Sequence, residues 1–333
     1  MFISLLAVVA LGIIAWFGAA CGGQIFFGVI LPYAALVVFV LGFVWRVVNW
    51  GKSPVPFRIP TVGGQARSLD WIKPNRLDSP YTPIATVGRM ALEVLTFRSL
   101  FRNSSIEMTQ ERGLVQWSSK WLWAFALLFH YSFLVIFIRH FRLFIEPVPF
   151  VITAIETVDG LMQIGVPRFY MSDAAVLGAL LFLLGRRLCV GRVRYISLAN
   201  DYFPLFMLIG LVGSGICMRY IGKTDITSVK VLTMGLVTLH PVIPEGISPL
   251  FYLHICFLSV LLMYFPFSKL MHMGGVFLSP TRNLPNNSRA VHHDNPWNPP
   301  KKYHTYAAYE DDFRENMAEV GLPLEKEPEE SAG

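Results

Sequence analysis

Charge is scarce in this 333-residue chain: Asp, Glu, Lys and Arg make up 15% of it, against 54% hydrophobic residues. Soluble domains typically carry about 25% charged residues, and a soluble core could not hide this much apolar surface. The first 45 residues hold no charged side chain. Cysteine is also scarce: Cys21, Cys189, Cys217 and Cys256 stand far apart, too few for a disulfide scaffold. They read as small apolar filler in helices. The absence of C-x-x-C leaves no iron–sulfur or zinc-ribbon pattern, and the absence of C-x-x-C-H leaves no covalent c-type haem site. No internal repeat is visible, so an inverted-repeat transporter finds no support. With 26 Phe and 8 Trp the chain is not disordered. The net charge of +6 reads as the basic face of a membrane protein rather than as a nucleic-acid footprint.

What the chain does have is long apolar runs. A spanning helix needs roughly 20 apolar residues, and six stretches qualify: Phe2 to Ala20, Ile25 to Val48, Trp121 to Phe144, Ala174 to Val190, Tyr202 to Ile221, and Ser248 to about His272. The fold class is therefore all-α, a polytopic membrane bundle of six helices. The link from Arg46 to Lys120 holds eleven Lys/Arg and five Asp/Glu, and the link after segment four carries Arg186, Arg187, Arg192 and Arg194. The links on the other side are poorer in basic residues. The positive-inside rule then predicts both termini in the cytoplasm. Four parts follow: two N-terminal helices (1–49), a cytoplasmic or interfacial link (50–118), a four-helix core (119–275) and a cytoplasmic extended tail (276–333). Within the link, Ile84–Phe101 mixes apolar residues with Arg89, Glu93 and Arg98, the pattern of an interfacial or docking helix. The tail predicts one short helix near Tyr306–Glu319, with the remainder wrapped on a partner.

Ionisable groups at membrane depth are costly and are functional candidates. Of eight histidines, His292, His293 and His304 lie in the tail and His240 in an outer link. The other four sit in two apolar segments: His130 and His140 in the third, His254 and His272 in the sixth. His254 and His272 are 18 residues apart, about five turns at roughly 3.6 residues per turn. The two segments run in opposite directions, so His140 and His254 share the outer half and His130 and His272 the inner half. Two cross-helix imidazole pairs, one near each face, are what two stacked b-type haems require. The heights conflict, however. At about 1.5 Å per residue the ligands are about 15 Å apart on one helix and about 27 Å on the other. Pro266 lies between His254 and His272 and predicts a kink or an early end.

Arg139, Arg142 and Lys269 are candidate propionate contacts, with snorkelling to the interface as the equal alternative. Arg139, Glu146 and His240 are candidate quinone-site residues near the outer face. Gly210, Gly213 and Gly215, with Gly178 and Ala179, permit close approach of a flat macrocycle, although ordinary helix packing explains small residues as well.

The two histidine spacings resemble the gamma subunit of respiratory nitrate reductase, a dihaem cytochrome b. Phe129-His130-Tyr131-Ser132-Phe133, Ile138-Arg139-His140-Phe141-Arg142, Leu253-His254-Ile255-Cys256 and the tail motif Asn295-Pro296-Trp297 are similar to the DsrM family. This family, called HmeC in some archaea, contains the membrane cytochromes of dissimilatory sulfite-reduction complexes. The resemblance implies two haem b, His140 and His254 on the outer one and His130 and His272 on the inner. It also implies menaquinol or menaquinone as substrate, and a prokaryotic cytoplasmic membrane. The partners it implies are the cytoplasmic iron–sulfur subunit DsrK, with DsrJ, DsrO and DsrP in the same complex and DsrC indirectly. A transporter and a non-redox membrane anchor are the rival classes. The first lacks an evident repeat and has few acids within its spans, and the second leaves four buried histidines without a purpose.

Overall fold

The computed structural model describes residues 1–55, 63–109, 113–162, 167–292 and 303–326. His293 and the Asn295-Pro296-Trp297 motif lie outside the described residues. Helices α1 (Phe2–Ala20) and α2 (Leu31–Gly51) form an antiparallel hairpin, with a π-helical turn at Phe26–Ile30 leading into α2. The bend is tight. Gly22 has φ +98°, and a Cβ on Gly23 would lie 2.6 Å from the Gly18 carbonyl oxygen, so neither position accepts a side chain without strain.

The link is more structured than its composition suggests. Thr82 caps α3 (Pro83–Thr96), accepting from the Ala85 N–H at 3.3 Å, and Pro83 occupies the first turn. Phe97, in the left-handed region, breaks the helix before α4 (Arg98–Arg102). An antiparallel hairpin of β1 (Ser104–Thr109) and β2 (Gly113–Ser118) follows, in the register Ser104↔Ser118 to Thr109↔Gly113. The carbonyls of Leu95 and Thr96 then accept from Tyr131 Oη (2.8 Å) and Trp123 Nε1 (2.7 Å), pinning the link to α5 (Lys120–His140).

After α5 come α6 (Phe150–Asp159), α7 (Met171–Cys189), the short α8 (Gly191–Ile196), α9 (Ala199–Ile216, extended by a π-turn to Ile221) and α10 (Ile226–Val237). Asp225 caps α10, accepting from the Thr227 N–H at 2.9 Å and the Ser228 N–H at 3.3 Å. α11 (Pro249–Tyr264) opens on a Ser248 cap. α5 packs on α7, α7 on α9 and α9 on α11, while α1 lies against both α9 and α11 and α2 against α11. One apolar core runs through Val176, Leu180, Met207, Leu211 and Phe257, and a second through Ala15, Phe27, Leu232 and Tyr252. Outward faces such as Ile13, Phe17, Leu41 and Val44 are exposed, as lipid-facing surfaces of a membrane helix are.

Among the described residues five helical spans are long and apolar enough to cross a membrane: Phe2–Ala20, Phe26–Gly51, Lys120–Leu143, Ala199–Ile221 and Pro249–Phe267. α7 has the length, but it carries Asp173 in its first turn and Arg186 and Arg187 in its last. The sixth segment is not one helix. α11 stops at Tyr264, two 3-10 turns (Phe265–Phe267 and Lys269–Met271) flank an extended Ser268, and His272 opens a separate α12 (His272–Leu278). The first part of the tail is packed rather than free. Asn286 donates from its N–H to the Pro80 carbonyl (2.6 Å) and from Nδ2 to Ser79 Oγ (2.8 Å), and buried Arg89 donates to the Thr281 carbonyl (3.0 Å). The predicted tail helix forms as α13 (Tyr306–Glu319).

Candidate functional site

His130 and His140 lie on α5, with each Nδ1 2.7 Å from a carbonyl one turn back, Ala126 and Ile136 respectively. A carbonyl oxygen can only accept, so both rings carry their proton on Nδ1 and leave Nε2 bare. His272 does the same at the head of α12, with Nδ1 2.9 Å from the Lys269 carbonyl. His254, on α11, faces Ser214 of α9 instead, with Nδ1 2.9 Å from Oγ.

The four rings meet in twos. His140 and His254 have ring centres 6.5 Å apart and planes 9° from parallel. His130 and His272 are 6.0 Å apart with planes at 86°. The structure thus brings His140 to His254 and His130 to His272. The conflict in heights disappears, because the break around Pro266 and Ser268 removes the continuous helix that caused it. α5 and α11 are not close packing partners: α5 rests on α7, and α11 on α1, α2 and α9. Their imidazoles nevertheless confront each other across the space between them.

This arrangement fits an iron porphyrin. Two metal–imidazole bonds of about 2.0–2.1 Å, laid end to end with the two ring radii, span about 6.4 Å, close to both ring separations. Each of the three carbonyl-anchored rings holds its proton on Nδ1, which would leave Nε2 available to a metal. Among the described residues no three His, Cys, Asp or Glu side chains converge on a metal-sized site.

Around the pairs, Arg139, Arg142 and Lys269 each have a carboxylate. Buried Arg139 (8% exposed) reaches Asp159 Oδ2 at 2.5 Å, Ser172 Oγ at 2.8 Å and Asp173 Oδ1 at 3.4 Å. Its guanidinium lies 3.5 Å from the centre of the Tyr170 ring, which also receives Arg219 at 4.1 Å. Tyr220 Oη donates to Asp173 Oδ2 (2.9 Å) and accepts from the Tyr170 N–H (3.0 Å). Arg142 donates to both Glu156 oxygens (2.8 and 2.9 Å), and Lys269 to Asp201 (2.6 Å). Of the other quinone candidates, Glu146 is paired with Lys230, and exposed His240 has Nδ1 2.8 Å from the Thr238 carbonyl. Phe97 of the link sets its ring edge against His130, 4.9 Å between centres.

Residues 90–287, more than half of the chain and inclusive of all four histidines, match the family described as nitrate reductase gamma subunit. The chain belongs to this family. Two close relatives carry the description "Hdr-like menaquinol oxidoreductase cytochrome b-like subunit". The protein of Archaeoglobus fulgidus is 46% identical over 282 residues, covering 83% of this chain and 84% of that protein. The one of Archaeoglobus profundus is 41% identical over 276 residues, covering 81% and 82%. Family membership and the apolar helices together make this a multi-pass membrane protein.

Ser214, Asp159 and Asp173 were missed by sequence reasoning. Ser214 stands 40 residues from His254 on another helix, and no spacing rule links them. Asp173 did carry a signal: it is an acid at the mouth of an apolar helix, where a partner is required.

Proposed function

We propose that this chain is the quinone-reactive dihaem b cytochrome of a membrane oxidoreductase, equivalent to the DsrM/HmeC cytochromes. It would pass electrons between menaquinol and a cytoplasmic iron–sulfur partner in dissimilatory sulfur metabolism. The observation that carries the reading is the pair of opposed imidazoles at each of two levels, with bare Nε2 atoms on rings held by their own chain. His140 and His254 hold the outer haem and His130 and His272 the inner. The haems supply one-electron carriage, and the chain supplies the ligands, their tautomers and an apolar surround. Relatives described as menaquinol oxidoreductase subunits support the quinone. Six crossings with both termini cytoplasmic, α7 included, are supported by the cluster of arginines at the end of α7 and in the following link, and by the basic 46–120 link. The membrane is then the cytoplasmic membrane of a prokaryote.

Electrons must leave through a second protein, because the chain has no iron–sulfur motif. The link and tail pack together beside the His130/His272 pair, and this is the face we assign to a DsrK-like subunit. DsrJ, DsrO and DsrP would complete the complex, with DsrC reached indirectly. Arg142 and Lys269 are proposed as propionate contacts, and Arg139, Glu146 and His240 mark the region proposed for quinone.

The test is a dithionite-reduced minus oxidised spectrum of the purified protein with a haem-to-protein ratio. Sharp b-type bands and two haems per chain support the reading. Colourless protein after full haem supply refutes it and returns the chain to the anchor or transporter classes.

A further inference from the structure

Three of the four site histidines settle their Nδ1 proton on a carbonyl of their own stretch of chain. His254 depends on another helix. Ser214 is buried on α9, and its Oγ lies 2.9 Å from His254 Nδ1 and 2.9 Å from the Leu211 carbonyl oxygen. A hydroxyl has one proton to give and lone pairs to receive with. The Leu211 carbonyl can only accept, from the Ser214 hydroxyl and from the His254 ring alike, so with the hydroxyl proton on that carbonyl Ser214 Oγ receives from Nδ1. The opposite arrangement, with the hydroxyl donating to a bare Nδ1, would place the ring proton on Nε2. Nε2 would then be unable to bind a metal.

The next residue tightens the grip. A Cβ on Gly215 would lie 3.3 Å from His254 Cε1, so the α9 backbone is pressed on the ring edge. Two consecutive residues of α9 therefore fix the tautomer and the rotation of a ring carried by α11.

We infer that Ser214 is a positioning residue for the outer haem ligand and a determinant of that haem's reduction potential. This rests on the haem reading above. A hydrogen bond to Nδ1–H raises the basicity of the ligating nitrogen and so favours the ferric state. Removing Ser214 Oγ leaves the ring only the Leu211 carbonyl, which it also reaches, so the ligand is weakened and the ferrous state favoured. Because only His254 uses Ser214, one of two haems with identical ligand sets should respond.

The experiment is a redox titration of the full-length, haem-loaded protein, followed in the b-type bands, for wild type, Ser214→Ala, Ser214→Thr and Ser214→Cys. Ser214→Ala should raise the potential of one haem by about a tenfold change in ferrous preference, ~59 mV for a one-electron couple, and leave the other in place. Ser214→Thr keeps the hydroxyl and should titrate like wild type. Ser214→Cys offers only a weak acceptor and should shift the same haem upward, which provides the test if the alanine variant fails to assemble. Unchanged potentials in the Ala and Cys variants, or equal shifts in both haems, overturn the role of Ser214 while leaving the haem reading intact. Wild-type protein without haem overturns the haem reading itself and this role with it.

Discussion

His140 and His254 face each other at 6.5 Å with ring planes 9° apart, although α5 and α11 pack on other helices rather than on each other. Two rings held apart in this way, each buttressed on Nδ1, form a jaw rather than a packing contact. The pairing has a combinatorial consequence. On the proposed haem reading, the double variant His140→Ala/His254→Ala removes both ligands of one haem and should retain the other, close to one haem per chain. His130→Ala/His140→Ala breaks both pairs and should retain none. A pyridine haemochrome assay distinguishes them, and equal haem content in the two doubles would contradict the pairing.

Arg139 is the hub of a buried ionic network, and its loss leaves Asp159 and Asp173 without their cation. Breaking a buried pair by removing one partner typically costs about 3–5 kcal/mol. Arg139→Gln should therefore lower the thermal unfolding midpoint strongly. Asp173→Asn leaves Arg139 with Asp159 and should cost less. A ranking with Asp173→Asn the more damaging would show that the arginine is not the centre of the network.

Gly210 and Gly213 share α9 but have opposite surroundings. A Cβ at 210 would sit 2.8 Å from the Phe257 ring, whereas nothing lies within 4 Å of one at 213. Gly210→Val should destabilise by about 1–3 kcal/mol through overpacking. Gly213→Ala should be neutral or slightly stabilising, because helical glycine is the entropically costlier residue. Thermal melts in detergent decide it.

Glu310, 1% exposed, closes the tail by accepting the N–H groups of Glu325 (2.7 Å) and Lys326 (2.9 Å). The Glu325 N–H above all, with the Lys326 N–H and the Arg314 charge, holds its carboxyl below the ordinary value of 4.5. The stabilisation is present above that value and lost as pH falls through the lower, folded one. Hydrogen exchange at the 325 and 326 amides should therefore stay protected at pH 6 and lose protection in strong acid. Glu310→Gln should weaken protection already at pH 6.

Five of the spans were legible because they follow from local sequence, as apolar runs of the right length. The approach of His140 to His254 and of His130 to His272 was legible too, since it needs only the direction of each helix. The break after Tyr264 was half legible. Pro266 announced an interruption, but the extended Ser268 between two 3-10 turns is settled by packing of Pro266 and Phe267 against Gly42 on α2. α10, at 12 residues too short to cross a bilayer, is absent from the sequence reading, although Asp225 and the apolar run after it mark a capped helix. The β1–β2 hairpin and the network about Arg139 depend on contacts between distant segments, which no periodicity records.

The interruption at Pro266–Ser268 also decides which helix sets the scale of the site. α5 runs unbroken from Lys120 to His140 and so acts as the ruler, with ten residues and about 15 Å between its two imidazoles. The opposing strand of the site, being jointed, adjusts to that measure and brings His272 back into line. The interval between the two imidazole pairs is therefore dictated by one unbroken helix, and lengthening the joint should disturb it far less than inserting a single residue between His130 and His140.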